Sequence, residues 1–149
     1  MSVHIIMGSK SDSSIAEKVQ KTLDSLGVTH MTVVASAHRT PDYLAKVVKE
    51  SNAKIFIGIA GLSAALPGAI ASYTHRPVIG VPVSGKVNLD SILSITQMPP
   101  GVPVAAVGLD NGENAAILAA EILALNDPAV DRKIQDYRDE KRRAILEGK

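Results

Sequence analysis

Short β-branched apolar runs alternate along this chain with longer stretches whose apolar positions recur every three or four residues. Val3–Met7, His30–Val34 and residues 55–59 and 77–81 are runs of the first kind, bounded by Gly, Pro or Ser. Continuous apolar runs of that length suit strands buried on both faces, as in a parallel sheet. Residues 102–107 form a fifth candidate, in which Pro103 has no N–H to give and can sit only at the start or on an edge. Between the runs, residues 13–26 place Ile15, Val19, Leu23 and Leu26 on one stripe, and Gly27 follows as a C-terminal glycine. Thr40-Pro41 reads as an N-cap followed by an N1 proline, opening a helix through Leu44, Val47 and Val48. Pro67 is expected to open a short helix over 67–72 in the same way. Residues 90–95 form a further helical turn, and residues 111–125 an Ala- and Leu-rich helix of the buried type. Strand and helix alternating with right-handed crossovers give an α/β fold, a three-layer α/β/α sandwich on a parallel sheet.

The end of the chain departs from this pattern. Residues 127–149 are densely charged, and their apolar positions Val130, Ile134, Tyr137, Ala144 and Ile145 trace only a narrow stripe. A helix this polar needs a partner to order it. It either lies on its own domain or reaches a neighbouring subunit. The expected organisation is therefore a catalytic domain over 1–126 and a C-terminal helical arm over 127–149.

Composition narrows the possibilities further. At 149 residues the chain is one domain by length, and 46% apolar residues suit a packed interior. One Phe, three Tyr and no Trp leave few stacking platforms for single-stranded nucleic acid. A formal net charge of +1 argues against an electrostatic nucleic-acid or membrane surface. No cysteine is present, so there is neither a disulfide framework nor a thiolate zinc site. No apolar run approaches the roughly 20 residues that span a bilayer. The first strand starts within three residues of Met1 and leaves no room for a signal peptide, so a soluble cytoplasmic protein is expected.

Two loops concentrate the chemistry. Gly8-Ser9-Lys10-Ser11-Asp12 lies where the first strand gives way to a helix, where free backbone N–H groups and the positive dipole end favour an anion. Ser9 and Ser11 add hydroxyl donors. Asp12 is unwelcome against a phosphate, so it should cap the helix or accept from ribose hydroxyls. Ser, Asp and Gly there equally suit simple helix capping, and the loop lacks the second glycine and the Lys-Ser/Thr pair of a P-loop. In Ser36-Ala37-His38-Arg39-Thr40-Pro41-Asp42 a histidine stands beside an arginine just past a strand. An imidazole with an ordinary pKa of about 6.5 can serve as acid and then as base near neutrality, and Arg39 can hold a phosphate in a fixed fork. A surface histidine ahead of an N-cap threonine is the plainer alternative. His4, His30 and His75 have no spaced carboxylate partners and read as structural, leaving no metal constellation. The turn from Ala60 to Gly68 is small and apolar, which suits close approach of a flat ligand or ordinary packing.

Together with Gly80-Val81-Pro82-Val83 and the Gln97-Met98-Pro99 segment within residues 90–104, these loops resemble the class I N5-carboxyaminoimidazole ribonucleotide mutases, related to the catalytic subunits of phosphoribosylaminoimidazole carboxylase. The resemblance runs from Val3 to about Leu125. It implies a flavodoxin-like subunit in a homo-octamer with active sites at subunit junctions. It also implies an isomerisation in purine biosynthesis that moves a carboxylate from the exocyclic nitrogen of an aminoimidazole nucleotide to the ring carbon, without metal, biotin or ATP. Carried onto this chain, His38 is the catalytic proton shuttle. Ser9 and Arg39 hold the 5′-phosphate, and Asp12 accepts from the ribose. Gly8, Ser11 and Ser36 complete the substrate-binding set. Ala65 stands where class I members carry a histidine. Two alternatives accompany that departure: direct carboxylation of the aminoimidazole nucleotide with carbon dioxide, as in the class II relatives, and a non-catalytic nucleotide-binding module.

Overall fold

The computed structural model describes residues 1–148, so Lys149, the last residue of the expected arm, lies outside the described residues. Strands β1 (Val3–Met7), β2 (His30–Val34), β3 (Ile55–Ala60), β4 (Val78–Pro82) and β5 (Ala105–Ala106) form one parallel sheet in the order β2-β1-β3-β4-β5. Helices α1 (Ser13–Ser25), α2 (Pro41–Glu50), α3 (Leu66–Ser72), α4 (Asn88–Thr96), α5 (Gly112–Ala124) and α6 (Pro128–Leu146) cover its two faces. This is the flavodoxin-like α/β/α sandwich. The central strands β1, β3 and β4 are almost wholly buried, as their apolar runs, interrupted only by His4, require. β2 is an edge strand and leaves Met31 exposed.

Alternation along the strands divides the core in two. Val3, Ile5, Ile57, Ile79 and Val81 pack under α1, α5 and the start of α6, whereas Ile6, Phe56 and Val78 pack under α2, α3 and α4. On the second face the paired residues Gly58 and Gly80 form a notch in the sheet. A Cβ on Gly58 would lie 3.0 Å from Ile70 and 3.1 Å from Pro67, and one on Gly80 would lie 2.5 Å from Ile95 and 3.2 Å from Pro67. The missing side chains let α3 and α4 rest directly on the backbone. Gly112 does the same on the other face, where a Cβ would come within 2.7 Å of the Ile15 carbonyl oxygen.

Several boundaries differ from the expectation for local reasons. The fifth strand shrinks from 102–107 to two residues because Pro103 cannot donate and the Val102 N–H turns back to the Pro99 carbonyl. α3 starts at Leu66, putting Pro67 in its second position, and α4 is longer than the expected single turn. Thr40 occupies the N-cap position of α2 but makes no side-chain cap. Its hydroxyl instead accepts from the Ser36 N–H at 2.9 Å. His30 does meet a carboxylate: its Nε2 lies 3.0 Å from Asp24 Oδ1, brought there by the turn between α1 and β2. α6 is capped by Asp127, whose Oδ1 accepts from Ala129 and Val130. Val130 and Ile134 bury against the domain, and Arg138 pairs with Glu121 of α5. Further along, Ile145 and Leu146 are 79% and 74% exposed.

His4 is the odd residue in the core. It is 3% exposed, stacks on Phe56 and places Nδ1 3.0 Å from Ser51 Oγ, while its buried Nε2 meets no partner among the described residues. Burial holds its pKa below the ordinary histidine value, because a second ring proton would leave a charged N–H with no acceptor. The unfolded chain then takes up a proton that the folded chain refuses. Stability is therefore full above about pH 6.5 and falls as pH drops towards the lowered folded value. Denaturant midpoints measured between pH 5 and 7.5 should show this fall, and His4→Phe, which keeps the stacked ring, should flatten it.

Candidate active site

The carboxyl ends of β1, β2, β3 and β4 open into one cleft of about 550 Å³. It lies where the strand order reverses around β1, the usual ligand edge of an open α/β sheet. Every residue singled out in the first two loops, Gly8, Ser9, Ser11, Asp12, Ser36, His38 and Arg39, lines it. The third loop supplies an apolar wall from Ala60 to Leu66.

The first loop folds into a 3-10 turn, Lys10–Asp12, before α1 begins. Ser9 and Asp12 form a reciprocal capping box: the Ser9 N–H donates to Asp12 Oδ2 at 3.1 Å, and the Ser11 N–H donates to Ser9 Oγ at 3.3 Å. The Gly8 N–H goes to the Ile59 carbonyl and the Asp12 N–H to the Ser9 carbonyl. These four amides, expected to be free for an anion, are thus already engaged. What the loop keeps for an anion is the Lys10 N–H, for which there is no acceptor among the described residues, and Ser9 Oγ, which has accepted one bond and still has its hydrogen to donate. Asp12 is 7% exposed. Burial pushes its pKa up, against the lowering effect of the Ser11 hydroxyl, the Ser9 N–H and the Arg39 guanidinium.

The second loop closes on Ser36. Thr40 brackets its backbone, and Ser36 Oγ accepts from both the Arg39 N–H at 3.2 Å and Arg39 Nε at 3.3 Å. Arg39 Nη2 then donates to the Gly8 carbonyl at 2.7 Å. One guanidinium therefore ties the first loop to the second and keeps three N–H groups for a ligand. His38 rides the crest of this turn, exposed, and no described residue hydrogen-bonds its ring.

In the third loop Leu62 and Ala64 adopt positive φ values of 53° and 27°, with the Ala64 N–H closing a turn on the Gly61 carbonyl. Left-handed backbone costs a non-glycine residue about 1–2 kcal/mol. Val83, Ser84 and Gly85, which follow β4, complete the cleft; Val83 closes the Gly80–Val83 motif, and Ser84 and Gly85 carry no signal in their residue types. Parallel topology was the signal that could have found them, because the loop after β4 has to emerge at the same edge.

A family model described as AIR carboxylase matches residues 2–144. The chain is 55% identical over 142 residues to a protein of Methanocaldococcus jannaschii named N5-carboxyaminoimidazole ribonucleotide mutase, covering 95% of this chain and 90% of that one. It is 52% identical over 150 residues to a probable N5-carboxyaminoimidazole ribonucleotide mutase of Methanobrevibacter smithii, covering 98% of this chain but only 44% of that longer protein. Among solved structures, the crystal structure of Treponema denticola PurE superposes with a TM-score of 0.89 at 32% identity, covering 97% of this chain and 94% of that one. Fold, loop order and sequence agree, and the chain belongs to the AIR carboxylase family.

Proposed function

We propose that this chain is an N5-carboxyaminoimidazole ribonucleotide mutase, an isomerase of purine biosynthesis that converts its substrate to 4-carboxy-5-aminoimidazole ribonucleotide. The observation that carries the reading is the meeting of His38 with Ser9, Asp12 and Arg39 in one cleft, in a chain 55% identical to a relative of that name. The Ser9 hydroxyl and the remaining N–H groups of Arg39 hold the 5′-phosphate, with Gly8, Ser11 and Ser36 shaping that end. Asp12 uses its unspent lone pairs to accept from the ribose hydroxyls.

The reaction then needs one proton in and one proton out. His38, protonated, gives its proton to the exocyclic nitrogen as the carbon–nitrogen bond breaks and carbon dioxide leaves. The ring carbon attacks the carbon dioxide, and His38, now neutral, removes the proton from that carbon. The histidine ends as it began, and substrate and product are isomers. The apolar wall of Ala60, Ala64, Ala65 and Leu66 suits an uncharged intermediate that water must not carry away.

A neighbouring subunit closing the mouth fits the homo-octamer that the family resemblance implies. Two sets of exposed apolar residues support it: Val87, Leu89 and Leu93 around α4, and Ile145 and Leu146 at the end of α6. The domain thus comprises 1–126, with 127–149 as an arm whose first half packs at home and whose end meets the neighbour. A phosphorylated nucleotide as substrate fits a cytoplasmic enzyme. No helix among the described residues is long and apolar enough to cross a membrane.

The deciding assay offers the purified protein N5-carboxyaminoimidazole ribonucleotide in one cuvette and the uncarboxylated nucleotide with bicarbonate in another. Fast conversion in the first alone is expected. Fast conversion in the second alone would overturn the reading for direct carboxylation, with Ala65 as its marker, and tight binding without turnover would leave a binding module. His38→Asn should keep the fold and nucleotide binding while lowering kcat by about 10²–10⁴-fold. Asp12→Ala should raise KM and, by opening the capping box, lower stability by about 1 kcal/mol. Ending the chain after residue 141 removes Ile145 and Leu146 yet keeps Val130 and Ile134. Light scattering should then report smaller assemblies, and an intact octamer would remove the arm's role.

A further inference from the structure

Asp110 lies outside the cleft, between β5 and α5, in a backbone conformation that most side chains avoid. Its φ is +56°, a value Asn and Asp tolerate better than other non-glycine residues. Its N–H donates to the Pro82 carbonyl at 2.9 Å, and its Oδ1 accepts from the Ser84 N–H at 2.8 Å. The residue therefore grips the chain on both sides of Val83, just where β4 turns into the cleft wall. Its own carbonyl accepts from Lys18 Nζ at 3.4 Å, which anchors it to α1.

The grip is transmitted to the site through backbone. Val83 donates to the Ala60 carbonyl at 3.0 Å, and its carbonyl oxygen faces Gly61 so closely that a Cβ there would approach to 3.3 Å. The Gly85 N–H is taken by Asn88 Oδ1 at 2.9 Å. Three consecutive amides, of Val83, Ser84 and Gly85, are thus held by other parts of the chain. Only the middle one is held by a charged group from a different element. Without it, the Ser84 amide loses its acceptor, and residues 83–85 keep only the bonds of Val83 and Gly85 on either side.

We propose that Asp110 is a positioning residue for the reaction: its carboxylate fixes the wall after β4 and, through Val83 and Gly61, sets the width of the nucleotide cleft. The inference rests on the mutase reading for its kinetic part and on geometry alone for its structural part. The variants that separate the contributions are Asp110→Gly, which relieves the positive φ but removes the acceptor, and Asp110→Asn, which keeps an acceptor oxygen and tolerates the conformation.

Hydrogen exchange of the Ser84 amide, read by NMR, tests the tether without substrate. Ser84 is exposed, so protection of its amide depends on the carboxylate. Asp110→Gly should lose that protection and raise KM by roughly tenfold with kcat within about twofold, the scale of one lost hydrogen bond to a charged group. Asp110→Asn should recover both. Unchanged Ser84 exchange in Asp110→Gly, or a fall in kcat with KM unmoved, would overturn the proposal. If the unmodified protein turns over neither nucleotide, the mutase reading falls. Ser84 exchange and calorimetric titration with 5-aminoimidazole ribonucleotide would then still decide for or against the tether.

Discussion

A parallel sheet sends the carboxyl ends of all its strands to one edge, and here the first strand in sequence is also interior to the sheet. The chain leaves β1 towards β2 on one side and returns to β3 on the other, so the loops after these strands part and leave a crevice between them. Everything chemical in the molecule depends on that reversal. The β-branched strands supply no reactive group to the cleft, yet their register places the ends of β1 and β3 opposite each other, with Met7 paired to Ile59. The loop residues inherit their positions from that pairing.

Within the crevice, hydrogen bonds that look like local capping also assemble the site. The Ser9–Asp12 box shapes the first loop, Thr40 and Ser36 close the second, and Arg39 joins the two through the Gly8 carbonyl. Each loop is satisfied before any ligand arrives, so a nucleotide need not organise it on binding. Most of the first loop's backbone amides are engaged in doing so, and hydroxyl and guanidinium groups carry much of the recognition. His38 is the exception, held by its backbone turn and left without a partner for its ring among the described residues.

Much of this was legible from residue types. The buried strands declared themselves as apolar runs, α1 by its stripe and Gly27, and the two loops by polar residues placed just after strands. What escaped notice depends on pairing across distance. Asp24 and His30 are six residues apart but meet only because a turn folds between them. Thr40 carries the expected capping residue type, yet a better partner, the Ser36 backbone, stood four residues back. Ser84 has no distinctive neighbour in sequence, and Asp110, which holds it, is 26 residues away. Pro103 truncated a strand that its neighbours favoured, because a missing donor outweighs β propensity at an edge.

The notch of Gly58 and Gly80 carries a consequence for how this protein can vary. Neither residue reaches the cleft, but Pro67 and Ile95 occupy the space where their side chains would stand. A methyl group on Gly80 would displace Ile95 of α4, and one on Gly58 would press on Ile70 and Pro67 of α3, at whose start the apolar wall ends. Drift at these two interior positions is therefore felt as a change in ligand fit, and the cleft inherits its tolerance to substitution from the floor beneath a helix.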